Sequence, residues 1–299
     1  MGVLDYTFVS TALLPLAIGV IMFGLGLALT LGDFARVVQY PRAVVVGLVV
    51  QTVVLVPVAF AIAKLLALPP LLAIGLMLLA AAPGGAMANV FSHLAHGDVA
   101  LNVTLTAINS LLALAWLPLV MNWSLAHFLG AEQYVPPPTQ KIIDVATFIV
   151  LPVIVGMVVR QLWPALARRT ESPVRLASVL LLACVVALTI VTSRETLAAS
   201  FAAVGVACIV LNLVSMGLGY AIPRLAGLPT PQVISISFEI GVHNAAVAIF
   251  MAMQVLNEDV AAVPAALYGL VMIATASIAV TWLRHRHARN TVAIGQVQG

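Results

Sequence analysis

A carboxylate, a glycine, an imidazole and an amide lie close together within one apolar stretch of the 299-residue chain. They are Glu239, Gly241, His243 and Asn244, in the segment 231–255. A carboxylate at the centre of a membrane costs about 2.5–3.5 kcal/mol on insertion scales, so it usually serves an ion site, a proton relay or a polar cavity. The alternative is a neutral, hydrogen-bonded structural acid. We therefore predict a functional site around Glu239.

A second set of polar side chains offers oxygen ligands. Asn102, Thr106 and Asn109 follow one another at steps of four and three residues, which places them on one face of a helix. With Asn89 and Glu239 they supply the amide, hydroxyl and carboxylate oxygens that hard cations such as sodium prefer. Hydrogen bonding between membrane helices, worth about 0.6 kcal/mol per pair, is the alternative role for Asn and Thr. As a set, these residues predict a sodium site.

Two apolar segments contain residues that interrupt a helix. The first, at 68–92, contains Pro83, Gly84 and Gly85, and the second contains Gly241. The two segments are five spans apart, so they cross the membrane in opposite directions. Paired interruptions in oppositely directed spans are typical of inverted-repeat secondary transporters, although kinks that only help helices to pack are the alternative.

The composition excludes most soluble classes of protein. Hydrophobic residues make up 63% of the chain and charged residues 8%, with a mean hydropathy of +1.16. A soluble domain carries about 25% charged residues, so this chain lacks the polar surface that water requires. The net charge is +3, and the basic residues lie singly or in small groups between apolar runs, which argues against nucleic-acid binding. The chain is predicted to be an all-α polytopic membrane protein.

Nine segments are long and apolar enough to cross a bilayer. They are 7–31, 43–63, 68–92, 99–122, 142–162, 176–193, 196–222, 231–255 and 260–283. The longest polar connection is 123–141. One set of connections holds 10 of the Lys and Arg residues and the opposite set holds 3. This bias predicts an N-terminus outside and a C-terminus in the cytoplasm.

Several motifs resemble those of the bile acid:sodium symporter family. They are the glycine-rich 22–27, Pro83-Gly84-Gly85 running on to Asn89, Gly97-Asp98, and Glu239-Ile240-Gly241-Val242-His243-Asn244. The resemblance covers nearly the whole chain and implies the nine-span form, with a panel domain and a core domain in which the two broken helices cross. It implies a single transporter domain over 1–299, with a first repeat at about 7–122, a second at about 142–283 and a cytoplasmic tail at 284–299.

The resemblance also implies which residues hold sodium. For the first ion they are Asn89, Asn102, Thr106 and Glu239; for the second they are Glu239, Ile240, Val242, His243, and either Gln51 or Thr52. Asn102 stands where the family can have serine, and His243 replaces a glutamine. The family's other glutamine falls on Thr52, with Gln51 one residue early. We expect Asn244 and Asn109 at the substrate cavity.

We predict sodium-coupled symport of organic anions, either bile-acid-like molecules or smaller carboxylates, by alternating access. A proton-coupled carrier or exporter on the same fold is the alternative, in which His243 carries the proton. The sequence contains no His-Glu-x-x-His or Gly-x-Ser-x-Gly motif, so an enzyme is not expected. The expected partners are a small organic anion, the lipid bilayer and Na⁺ as coupling ion, with no cofactor, no other metal and no nucleic acid. The expected location is the bacterial inner (plasma) membrane.

Overall fold

The computed structural model describes residues 13–130, 139–192 and 194–297. These residues form helices, and the extended pairing among them is a single antiparallel bridge. Four parts of the predicted organisation lie outside the described residues: the start of the first span at 7–12, part of the long connection at 131–138, residue 193 at the end of the span 176–193, and the last two residues of the tail.

The helices of the first half are, in chain order, α1 (Leu14–Ala28), α2 (Leu31–Ala35), α3 (Pro41–Val49), α4 (Leu55–Leu65), α5 (Pro70–Ala81), α6 (Ala86–Leu94) and α7 (Val99–Phe128). A 3-10 turn (Arg36–Val38) follows α2. A π-helical turn (Val50–Val54) joins α3 to α4 in one continuous helix.

The helices of the second half are α8 (Thr139–Leu162), α9 (Pro164–Thr192), α10 (Arg194–Leu225), α11 (Thr230–Gly241), α12 (Ala245–Phe250) and α13 (Val263–Val297). A π-helical turn (Met251–Val255) extends α12, and a 3-10 turn (Val260–Ala262) leads into α13.

Apolar helices of spanning length agree with a multi-pass membrane protein. Among the described residues, four helical segments are long and apolar enough to cross a membrane: Pro41–Leu65, Val99–Phe128, Ala202–Leu225 and Val260–His285. The pair Leu14–Ala28 and Leu31–Val38, bent by 70°, makes a fifth if it is counted as one span. The helices on either side of each predicted interruption are too short to cross alone. The count of nine spans therefore stays a prediction.

Three predicted boundaries differ from the structure. Helix α7 continues past 122 to Phe128, because Trp123 and Phe128 pack against Phe60 with ring centroids 4.9 and 5.6 Å apart. The predicted connection at 163–175 is helical from Pro164 onward, the position at which proline favours a helix start. The tail is also helical as far as Val297, because α13 continues through it.

The helices pack in two groups. Helices α1, α8 and α9 pack mainly against one another, and the remaining helices surround the two interruptions. Glycines bring α1 and α8 together: a Cβ on Gly26 would collide with the backbone of Val153, and a Cβ on Gly156 would collide with the backbone of Phe23 and Gly26. Small residues at such an interface let membrane helices approach closely.

Candidate functional site

The two interruptions meet, and their backbones pair with each other. The first is Ala82–Gly85, between α5 and α6, and the second is Val242–Asn244, between α11 and α12. The Gly85 N–H donates to the Val242 carbonyl at 2.8 Å, and the Asn244 N–H donates to the Pro83 carbonyl at 2.8 Å. This pairing satisfies backbone groups that lipid could not, so the interruptions are stable only where they cross.

Glu239 is buried at this crossing with three donors around its carboxylate. The Thr106 hydroxyl donates to one oxygen at 2.6 Å, and the Asn109 amide donates to the other at 3.2 Å. The backbone N–H of Gly84 donates as well. Glu239 is 1% exposed. A carboxylate that is buried and bonded in this way is held in one orientation.

Gly84 is required where it meets this carboxylate. A Cβ at Gly84 would collide with both carboxylate oxygens of Glu239. A Cβ at Gly85 would lie 3.2 Å from the carbonyl oxygen of His243. The two glycines therefore let the first interruption pass directly over the carboxylate, in addition to breaking the helix.

Three buried amide oxygens near the crossing have no hydrogen-bond partner: the Oδ1 atoms of Asn89, Asn102 and Asn109. The Asn102 amide nitrogen donates to the Ser235 carbonyl at 2.8 Å, and the Asn109 nitrogen donates to Glu239, so both oxygens must point the other way. An unpartnered buried oxygen is unfavourable unless a donor or a cation meets it. The four residues predicted for the first ion thus include two of these oxygens, together with Thr106 and Glu239.

Gln51, and not its neighbour Thr52, faces the crossing. The Gln51 amide nitrogen donates to the carbonyls of Ala80 and Ala82 at 3.2 and 2.9 Å, and its Oε1 is buried without a partner. The Thr52 hydroxyl donates to its own helix at the Leu48 carbonyl. The π-helical turn Val50–Val54 explains the change: it holds one residue more per turn, so a glutamine one position early still faces inward.

His243 is buried beside Gln51. Its Nδ1 lies 3.2 Å from the Ala82 carbonyl, the same oxygen that Gln51 contacts. Its Nε2 is buried without a partner. If Nδ1 carries the proton that this carbonyl accepts, Nε2 presents a lone pair. Of the other residues predicted for the second ion, Val242 uses its carbonyl to accept from Gly85, and Ile240 is buried in the last turn of α11.

A polar network behind the second interruption was not predicted from the sequence. The Gly241 carbonyl accepts from the Asn212 amide and from the Tyr268 hydroxyl, both at 2.9 Å. The Asn212 oxygen in turn accepts from the Thr275 hydroxyl at 2.5 Å. Asn212 and Tyr268 are buried. The available signal was the presence of polar groups inside apolar spans, the same signal that drew attention to Glu239.

A cavity of about 380 Å³ lies beside the crossing, between the two groups of helices. It is lined in part by Asn89, His243, Asn244 and the start of α6. Asn244 was expected there. Asn109 was also expected there, but it lies against Glu239 and is not among the residues that line the cavity. The described residues that line the cavity include Glu171 but no lysine or arginine.

The chain is similar to several sodium-dependent transporters. It is 29% identical over 266 residues to the uncharacterized sodium-dependent transporter YocS of Bacillus subtilis (strain 168), covering 89% of this chain and 80% of that protein. It is 30% identical over 279 residues to the probable sodium/metabolite cotransporter BASS2, chloroplastic, of Oryza sativa subsp. japonica, covering 92% and 65%. It is 25% identical over 238 residues to the human ileal sodium/bile acid cotransporter, covering 79% and 67%.

The similarity to one family extends well beyond the short motifs. Residues 15–200, more than half of the chain, match the Sodium Bile acid symporter family. This is a family of membrane transporters and not of enzymes. The crossed interruptions, the buried Glu239 and this match together identify the chain as a member of the sodium bile acid symporter family.

Proposed function

We propose that this protein is a secondary active transporter that moves an organic anion together with sodium by alternating access. The observation that carries the proposal is the buried carboxylate of Glu239, surrounded at the crossing by oxygens that lack partners. A buried carboxylate is stabilised by a cation, and sodium takes carboxylate, amide and hydroxyl oxygens.

For the first ion we propose Asn89, Asn102, Thr106 and Glu239 as ligands, with Asn109 as an addition to the predicted set. Asn109 is included because its amide nitrogen contacts Glu239 while its oxygen has no partner. This set combines one negative charge with neutral oxygens. Such a set neutralises a monovalent cation without leaving excess charge in the membrane.

For a second ion the residues are less favourable. Gln51 offers one free oxygen, whereas His243 offers a nitrogen, which is a poorer ligand for a hard cation than the glutamine it replaces. The Val242 carbonyl is already an acceptor in the crossing. We therefore propose tighter sodium binding at the first position, and we leave Thr52 out of the second.

For the substrate we propose the cavity beside Asn244 and Asn89. Without a lysine or arginine among its described lining residues, an anion there is held by amide side chains and by the free backbone N–H groups at the start of α6. The relatives' names refer to bile acid in one case and to metabolites in another. We accordingly propose a carboxylate substrate, from bile-acid-like molecules to smaller acids.

Coupling requires that sodium favour one conformation over the other, because a ligand shifts an equilibrium only by its difference in affinity for the two states. The residues of the first position come from α6, α7 and α11, so an ion there ties both broken helices to α7. We propose that this ordering completes the adjacent cavity. We also propose a bacterial inner-membrane location, with the N-terminus outside and the C-terminus in the cytoplasm.

The test is tracer uptake into proteoliposomes that contain the full chain, first with taurocholate and then with a panel of smaller carboxylates. We compare wild type, Glu239→Gln and the control Glu258→Gln, whose carboxylate lies in an exposed loop. An inward sodium gradient should drive uptake in wild type and in the control. Glu239→Gln should reduce that uptake by about a hundredfold, equivalent to about 2.8 kcal/mol of lost ion binding.

Two other outcomes would contradict the proposal. Uptake that follows a proton gradient and does not depend on sodium would support the proton-coupled carrier. His243, whose Nε2 is buried without a partner, would then be the first residue to mutate. Uptake of no substrate, together with no sodium-dependent rise in the melting temperature of the purified protein, would remove the sodium site itself. Where a sodium gradient does drive uptake, an imposed membrane potential reports the number of sodium ions per substrate, since each net charge moved is worth about 2.3 kcal/mol per 100 mV.

A further inference from the structure

The carbonyl of Gly241 is held by two side chains from two other helices. Asn212 belongs to α10 and Tyr268 to α13, and each donates to this oxygen at 2.9 Å. Gly241 is the last residue of α11, where carbonyl groups lose their partners within the helix. The two side chains therefore close the end of a helix that stops inside the membrane.

The network is organised around this one carbonyl. The Thr275 hydroxyl donates to the oxygen of Asn212, which leaves the Asn212 nitrogen facing Gly241. The Ser215 hydroxyl lies 3.3 Å from the Tyr268 hydroxyl. Tyr268 is among the largest side chains that are fully buried, so its hydroxyl has no alternative position in water. These contacts fix where α11 ends.

The end of α11 determines where the proposed ligands lie. Glu239 is two residues before Gly241, and the Val242 carbonyl is one residue after it. The Tyr268 ring also lies beside the His243 ring, with centroids 5.4 Å apart. A shift of the Gly241 carbonyl would therefore move groups on both sides of the second interruption.

We propose that Tyr268 is a positioning residue for sodium: with Asn212 it holds the Gly241 carbonyl and thereby sets the geometry of Glu239 and of the second interruption. This proposal rests on the sodium-coupled function proposed above. Tyr268 does not touch the ion in this arrangement, because its hydroxyl is directed to a backbone carbonyl.

The test measures sodium binding without a transported substrate. The melting temperature of the purified full chain is followed as NaCl replaces choline chloride at constant ionic strength, and the sodium concentration at half-maximal stabilisation is recorded. Tyr268→Phe removes only the hydroxyl and should raise this concentration about fivefold, the effect of one lost hydrogen bond. Asn212→Ala should act in the same direction and serves if Tyr268→Phe does not fold.

Ser124→Ala is the matched control, because Ser124 is equally buried and its hydroxyl bonds only within α7, to Val120. It should leave the half-maximal concentration unchanged. A Tyr268→Phe protein that melts lower without sodium but keeps the wild-type sodium concentration would overturn the proposal, since the hydroxyl would then be purely structural. If the wild type gains no stability from sodium, the proposed function fails first and the positioning role fails with it.

Discussion

The two interruptions are built from different residues and do different work. The first, at 82–85, carries no polar side chain, and α6 follows Gly85 without a side-chain cap. The second, at 242–244, is flanked by Glu239, contains His243, and begins α12 with the Asn244 side chain bonded to the Val247 N–H. The first interruption leaves room for the carboxylate, and the second carries or adjoins the polar side chains.

The two interruptions also differ in which side chains contact their backbone carbonyls. At the first, the carbonyls of Ala80 and Ala82 accept from Gln51, whose own oxygen remains free, and the Ala82 oxygen also lies 3.2 Å from Nδ1 of His243. The carbonyl before the second is held by Asn212 and Tyr268 together. The end of the helix that carries the carboxylate is thus fixed from two other helices, as a site requires if its ligands must stay in place in a membrane.

One turn has a similar form in both halves of the chain. The turn before α5 contains Ala67 at a φ of 46°, and the turn before α11 contains Gly227 at a φ of 71°. Leu68 donates its N–H to Ala63 and Leu228 donates to Pro223, both at 3.0 Å. The two turns therefore share a left-handed residue and one backbone hydrogen bond, and the wider repeat stays a prediction.

The largest difference between the two interruptions is expected when one methyl group is added to the first. Gly84→Ala places a Cβ against both oxygens of Glu239. Overpacking of this kind costs about 1–3 kcal/mol, so sodium affinity should fall about tenfold to a hundredfold. Sodium-dependent stabilisation of the purified protein measures this fall.

Gly205→Ala is the control for that substitution, because a Cβ at Gly205 would meet nothing within 4 Å. It should keep the wild-type sodium affinity. Wild-type affinity in Gly84→Ala would show that the first interruption does not need its open space, and the division of roles between the segments would be wrong.

A smaller effect is expected where the first interruption is supported. Gln51→Leu removes both amide hydrogen bonds and the free oxygen, so we expect sodium affinity to fall about tenfold, within the cost of unsatisfied buried groups. Thr52→Val removes a hydroxyl that bonds only within its helix and should change affinity less than about twofold. Sodium titrations of both variants test whether the π-helical turn places Gln51, and not Thr52, at the sodium site. A larger loss of affinity in Thr52→Val than in Gln51→Leu would contradict this.

The smallest effect concerns the matched turns. Ala67 has the left-handed backbone that glycine adopts at Gly227, so Ala67→Gly should stabilise the protein by about 1 kcal/mol and Gly227→Ala should destabilise it by a similar amount. A protein of this size should shift its melting temperature by about 2–4 °C. Sodium affinity should not change. Thermal unfolding in detergent measures both, and shifts of the same sign would show that the turns are not equivalent.

Much of the site was predictable because each signal is local. Glu239, Asn102 and Thr106 were found as polar residues within apolar segments, and Pro83 with its two glycines was found as a helix interruption. The role of Gln51 was left open, Asn109 was expected at the substrate cavity, and Asn212 and Tyr268 were missed. The spacing that makes Gln51 face inward depends on a π-helical turn, which the residue types at Val50–Val54 do not reveal.

Composition and short motifs are enough to show that the chain lies in a membrane, where its helices are interrupted and which family it resembles. Membrane location follows from the high hydrophobicity of the chain, and the interruptions follow from the local effects of proline and glycine on a helix. The contacts of Gly84 with the carboxylate, of Asn109 with Glu239 and of Tyr268 with Gly241 could be seen only in the folded chain. Each of these pairs joins residues far apart in the chain, and helix packing alone brings them together.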